Sequence, residues 1–246
     1  MVSYDLQKLN SPLYALACLA QAFTLLTQSH LRPLLFWPLL INLLLFPLAL
    51  VASSFAFLML LENLLPPWPD WLTLLLFPLF ALTLLAVICS SFALVANLIG
   101  SPFYSHLTIQ VEQLVTGRKP QTVPLGKLVR AELRRWRYYL KGAVPLLLLT
   151  PMPLLGAILP PFWLLWQAWF LGLEYTAYPL QGRGVPFPEM VSLLRGARLG
   201  VMTLGGAIMV GLTVPLLNIL MPPIAVIAAT LYLIEAERPE PHSEPK

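Results

Sequence analysis

The chain has 246 residues, of which 58% are apolar and 11% charged, and its formal net charge is +4. A soluble domain carries about 45–50% apolar and about 25% charged residues. This balance excludes a cytosolic enzyme, a disordered tail and a DNA-binding domain, and points to an all-α integral membrane protein.

Four windows hold no Asp, Glu, Lys or Arg: 33–61, 71–111, 142–173 and 199–234, together 138 of 246 residues. About 20 apolar residues span a hydrocarbon core of about 30 Å, so each window is long enough to cross. Leucine runs such as Leu146–Leu149 argue against the alternating segments of a transmembrane barrel. Cys18 and Cys89 lie alone in apolar surroundings, which suits small packed residues and gives no metal-ligand spacing. Asp5 precedes Lys8 and no small-residue cleavage site follows, so a removable signal peptide is not expected.

Taken in order, 33–61 reads as a transmembrane helix kinked at Pro47. The loop 62–70 is short and Pro-rich, and Trp68 and Trp71 mark an interface. A second span covers 71–99. Gly100-Ser101-Pro102 then reads as a stop and a new start, with Ser101 as N-cap and Pro102 as first helical residue. Residues 102–141 read as cytoplasmic amphipathic helices. All thirteen glycines lie at or after position 100.

The last two windows are interrupted, by Gly156, Pro160 and Pro161 and by Pro215, Asn218, Pro222 and Pro223. The pieces 142–155, 162–173 and 224–234 are too short to cross alone. Each window therefore reads as two half-helices bent inside the membrane, giving re-entrant hairpins over 142–178 and 199–234. Residues 153–162 (PLLGAILPPF) and 215–224 (PLLNILMPPI) repeat at an offset of 62, as a duplicated hairpin would. A tail, 237–246, completes a single membrane domain spanning 1–246.

Charge placement sets the topology. Segment 118–141 has eight bases against Glu132 alone, and loop 62–70 has two acids and no base. The positive-inside rule puts the former in the cytoplasm and the latter outside. If both interrupted windows are hairpins, all fifteen bases, including those of loop 174–198, are cytoplasmic. Within 125–141, Leu125, Leu128, Val129, Leu133, Trp136 and Leu140 form one stripe, and Lys127, Arg130, Arg134, Arg137 and Lys141 another. Such a helix lies on or near the membrane surface, either as an anchor on anionic lipid or as a basic funnel for a small anion. No nucleic-acid-binding fold accompanies the patch.

Several segments, taken together, resemble the CysZ sulfate-permease family. They are Pro38-Leu39-Leu40-Ile41-Asn42, Asn97-Leu98-Ile99-Gly100-Ser101-Pro102-Phe103-Tyr104 with Val111-Glu112, and Tyr138-Tyr139-Leu140. Tyr178-Pro179, Val185-Pro186-Phe187, Glu189-Met190 and Val214-Pro215-Leu216-Leu217-Asn218 follow in the family's order. The resemblance covers roughly 12–236 and implies two long transmembrane helices plus two membrane-embedded hairpins. It also implies sulfate passage across a bacterial inner membrane, feeding cysteine synthesis.

The family's anion site, a Gly-x-Arg-Arg turn, aligns with His30-Leu31-Arg32-Pro33, where His30 replaces the glycine and Pro33 the second arginine. A helix N-terminus with unpaired amides and an arginine fork suits a tetrahedral oxyanion. Arg32 alternatively serves as an interfacial anchor. Asn42, Asn97 and Asn218 fall at membrane depth, as interhelical hydrogen-bonding groups or as lining of an anion path. Glu112 repels an anion, so it should pair with an arginine and gate or shape the pore.

No GxxxxGK[ST], HExxH or GxSxG occurs and histidines number three. Neither a cofactor nor catalysis is expected, and an intramembrane enzyme is a poor fit. A membrane scaffold or lipid-interacting protein without transport is the main rival. Two spans and two half-deep hairpins enclose too little for a pore, so a homo-oligomer in the lipid bilayer is expected.

Overall fold

The computed structural model describes residues 3–26, 100–118, 124–150 and 158–237, with single positions at 47, 48, 51, 52, 55, 59 and 78. The chain divides into two compact units, Met1–Leu35 with Pro102–Lys246, and Phe36–Ser101. In the second unit every described residue is helical, including Pro47, Gly100 and Ser101. The spans expected at 33–61 and 71–99 otherwise lie outside the described residues. Ser101 is itself helical and is not the cap ahead of a new helix.

The larger unit is all helical: α1 (Leu6–Leu9), α2 (Pro12–Leu26), α3 (102–116), α4 (Leu125–Leu149), α5 (Leu159–Gly182), α6 (Phe187–Gly196), α7 (Arg198–Thr213) and α8 (Pro215–Ile234). Local chemistry sets several ends. The Asp5 carboxylate accepts from the amides of Gln7 and Lys8 at 3.0 and 3.2 Å and starts α1. Pro12 opens α2, where its missing donor is harmless, and the Ser11 hydroxyl accepts from the Tyr14 amide at 3.4 Å. The Asn10 side chain reaches across the fold to cap α7, accepting from the Leu199 amide at 2.9 Å.

The core is built on α5 and α8. Residues 168–180 of α5 and 223–233 of α8 are buried without interruption. Helices apolar on every side belong inside a structure; α5 packs against α7 and α8, and α8 against α2 and α7 as well. The α5–α7 crossing is close because Gly172 faces the Val201 carbonyl and Gly205 faces the Ala168 carbonyl; a Cβ at either position would run into backbone. Segment 5–14 is fastened to segment 232–236. The Asp5 amide donates to the Ala236 carbonyl at 2.8 Å, Lys8 Nζ to the Glu235 carbonyl at 2.6 Å, and the Tyr14 hydroxyl to the Tyr232 carbonyl at 2.9 Å.

Three sequence expectations shift. The amphipathic segment and the first half of the third window are one continuous helix, α4, which runs through Pro145. The expected loop 174–198 is mostly helical: α5 continues to Gly182 and α6 begins at Phe187. The second repeat does not copy the first. Pro160 lies in the opening turn of α5, whereas Pro222 and Pro223 lie inside α8, whose break from α7 falls at Val214. A proline in the first turn removes no helical bond. One inside a helix is tolerated where other groups satisfy the freed carbonyls. Identical dipeptides therefore land in different local structure, and the piece expected at 224–234 becomes a 20-residue helix.

Among the described residues no single helix is long and apolar enough to cross a membrane. The pair Phe187–Gly196 and Arg198–Thr213, bent by 101° across Ala197, together has the length and composition to do so.

Candidate functional site

Two buried charge clusters stand out in the larger unit. The first gathers α3, the end of α5, Tyr4 and Glu237. Arg183, just past α5, has its Nη2 3.2 Å from Glu112 Oε1 and its Nη1 2.7 Å from Glu237 Oε1. Its side chain is 9% exposed and that of Glu112 4%. Nη1 also donates to the Tyr4 hydroxyl at 2.6 Å. Glu237 is shared with Arg118, whose Nη1 lies 2.7 Å away, and pairs through its backbone with Tyr4 in an antiparallel bridge. Arg183 is balanced by the Glu112 and Glu237 carboxylates, and Arg118, its side chain 61% exposed, meets Glu237 from the solvent side. Burial works against the Arg183 charge, but Tyr4, Glu112 and Glu237 outweigh it and hold the guanidinium above its ordinary pKa. Burial pushes the Tyr4 hydroxyl up despite the cation beside it.

The second cluster joins α4 to α5. Arg135 is 1% exposed and pairs with Glu132 one turn earlier. Its Nη1 donates to the Glu174 carbonyl oxygen at 3.0 Å, and the guanidinium lies 4.8 Å from the Tyr178 ring centroid. Tyr178 in turn meets Tyr104 of α3 edge-on at 5.6 Å. An aromatic seam continues the joint: Trp169 Nε1 donates to the Tyr138 hydroxyl at 3.1 Å, and Tyr139 packs on Phe170 at 4.5 Å. Glu174 is itself buried, so the joint holds two buried acidic residues and one buried arginine.

Of the sequence-predicted site residues, Glu112 is found paired with an arginine, Arg183. Asn218 is exposed in the first turn of α8. It sits roughly 24 Å along the helix from Ile234, at the opposite end from Glu237 and its partners. The two residues are not brought together. His30, Leu31, Arg32, Asn42 and Asn97 lie outside the described residues. Sequence reasoning missed the parts played by Tyr4, Arg118, Arg183, Glu237, Glu174 and the Glu132–Arg135 pair. Only the last was signalled: one acid among eight bases, three residues before an arginine. No group of three metal-binding side chains occurs among the described residues.

Apolar helices, close glycine-mediated crossings and arginines neutralised by buried carboxylates define an all-helical protein with the composition of a membrane protein. A family model described as "Sulfate transporter CysZ/Etoposide-induced protein 2.4" matches residues 18–223. The "Sulfate transporter CysZ" of Pseudomonas aeruginosa LESB58 is 32% identical over 230 residues, covering 89% of this chain and 94% of that protein. Proteins of the same name from Pseudomonas paraeruginosa PA7 (32% over 230 residues) and Pseudomonas fluorescens Pf0-1 (31% over 227 residues, 88% and 91% of the two chains) match over the same extent. The chain belongs to this CysZ family.

Proposed function

We propose that the protein carries sulfate across the bacterial inner membrane into the cytoplasm, supplying sulfur for cysteine synthesis. The observation that carries this reading is the 32% identity to sulfate transporters running over 89% of the chain. The four charge-free windows support a multi-pass arrangement, with spans at 33–61 and 71–99. The end of α4 with most of α5, over 142–178, and α7 with α8, over 199–234, serve as membrane-embedded hairpins. Helix α7, at 16 residues, is about 24 Å long, short of a full crossing.

Sulfate binds at His30, Leu31 and Arg32, where the amides opening a helix meet an arginine fork. Asn42, Asn97 and Asn218 line its path. Glu112 is the exception, since a bare carboxylate would repel the ion; the 3.2 Å contact with Arg183 supplies its counter-charge and lets it shape the route. The protein acts as a homo-oligomer, without nucleotide and without catalysis.

Calorimetric titration of sulfate into purified protein tests the site. Arg32→Ala should weaken binding roughly 10- to 150-fold, the loss of a charge-assisted hydrogen bond worth about 1.5–3 kcal/mol. Arg32→Lys should recover only part, because lysine lacks the fork. Parental affinity in Arg32→Ala would assign Arg32 to membrane anchoring instead.

A further inference from the structure

Helix α4 has three faces. Leu128, Glu132, Arg135 and Ala143 point inward and are buried against the rest of the unit. Leu133, Leu140, Val144 and Leu147 form a second face and are 64, 49, 43 and 61% exposed. Arg130, Arg134, Arg137 and Lys141 form the third, all exposed, and none makes an ion pair with a described residue. At 3.6 residues per turn the apolar and basic faces lie side by side. The helix's one acid, Glu132, is turned inward onto Arg135, so the outer surface carries positive charge alone. Basic residues stop at Lys141, and the last turns, through Leu149, are uncharged and outwardly apolar.

We propose that this surface is a binding site for anionic phospholipid, with the leucine face seated at the acyl–headgroup boundary and the four cations on lipid phosphates. The inference rests on the membrane placement proposed above but is independent of sulfate. A helix that presents an apolar face and a basic face in neighbouring quadrants matches both layers of a bilayer surface. A funnel for a small soluble anion would need the cations but would leave the exposed leucines in water. Trp136, 5.8 Å from the Tyr139 ring, adds the aromatic pair typical of the interface. The charge boundary at Lys141 fixes the depth, with residues before it at the phosphates and those after it descending toward the chains.

The test uses the full-length protein in a Cys18→Ala/Cys89→Ala background, with a bimane probe at Leu140→Cys, reconstituted in phosphatidylcholine bilayers. Quenching by shallow brominated phosphatidylglycerol is compared with quenching by brominated phosphatidylcholine at equal mole fraction. The glycerol lipid should quench preferentially, and the preference should fall about fivefold for each cation removed across Arg134→Gln, Arg137→Gln and the four-fold glutamine variant. The single variants keep the comparison meaningful if the four-fold variant does not fold. Equal quenching by the two lipids in the parent, or an unchanged preference in the variants, overturns the proposal. Displacement of the glycerol lipid by millimolar sulfate at constant ionic strength also overturns it, in favour of a soluble-anion funnel. Quenching by neither lipid overturns it together with the membrane placement, whatever the sulfate measurements give.

Discussion

Glu112 and Arg183 face each other at 3.2 Å with both side chains buried, and Arg183 reaches Glu237 at 2.7 Å with its other nitrogen. One guanidinium thus ties α3 to the end of α8. Removing one partner of a buried pair leaves an uncompensated charge and costs about 3–5 kcal/mol. Arg183→Ala, which strands Glu112 and leaves Glu237 with Arg118 alone, should show that loss in thermal unfolding of the purified protein. Glu112→Gln should cost less, about 1–3 kcal/mol, because Arg183 keeps Glu237. A double-mutant cycle between Glu112→Gln and Arg183→Gln should give a coupling of about 0.5–3 kcal/mol. Strict additivity would mean the pair is not formed.

The α5–α7 crossing makes a sharper demand on side-chain size. A Cβ at Gly205 would meet the Ala168 carbonyl and the Gly172 amide, both backbone. A Cβ at neighbouring Gly206 meets only the Ala168 Cβ, at an ordinary 3.8 Å. Gly205→Ala should therefore destabilise by about 1–3 kcal/mol, the usual penalty of overpacking, while Gly206→Ala is tolerated. Equal unfolding temperatures for the two variants would contradict the close approach.

Much of the helical character was legible because it is written in composition and charge spacing, which survive without knowledge of partners. The basic helix was read as amphipathic, and Leu133 and Leu140 of its apolar stripe and Arg134 and Arg137 of its basic stripe are exposed; what the reading did not foresee is that Glu132 and Arg135 are buried. Periodicity sees only that polar and apolar residues segregate; it cannot see that a charged pair has been neutralised and turned inward. The repeat misled for a related reason. Pro-Pro punctuates a helix differently at its first turn than in its interior, and the sequence alone does not say which applies. The Arg183 cluster draws on Tyr4, Glu112 and Glu237, far apart in the chain, and no local pattern announces such a site.

Burial pushes the Cys18 thiol up to about 11, its hydrogen bond with Tyr14 notwithstanding. At pH 7.5 the thiolate is then about one part in three thousand. A Cys89→Ser variant should resist maleimide until it is unfolded or the pH approaches 11; rapid labelling at pH 7.5 would contradict the packing of α2. That inertness makes topology readable. Ser192, exposed on α6, can be replaced by cysteine in the Cys89→Ser background. Ser192→Cys should stay unlabelled by an impermeant reagent outside intact cells and react once the membrane is opened. Labelling from outside would refute the hairpin arrangement.

The account's central claim is sulfate passage through this protein alone. Purified full-length protein in sealed phospholipid vesicles, assayed for uptake of labelled sulfate, tests it most directly. Uptake should exceed that of protein-free vesicles, fall in Arg32→Ala and resist competition by chloride better than by other divalent tetrahedral oxyanions, because a helix N-terminus with an arginine fork favours several acceptor oxygens at once. Uptake no faster than in protein-free vesicles, with the protein inserted and folded, would contradict it and return the chain to the role of a membrane scaffold.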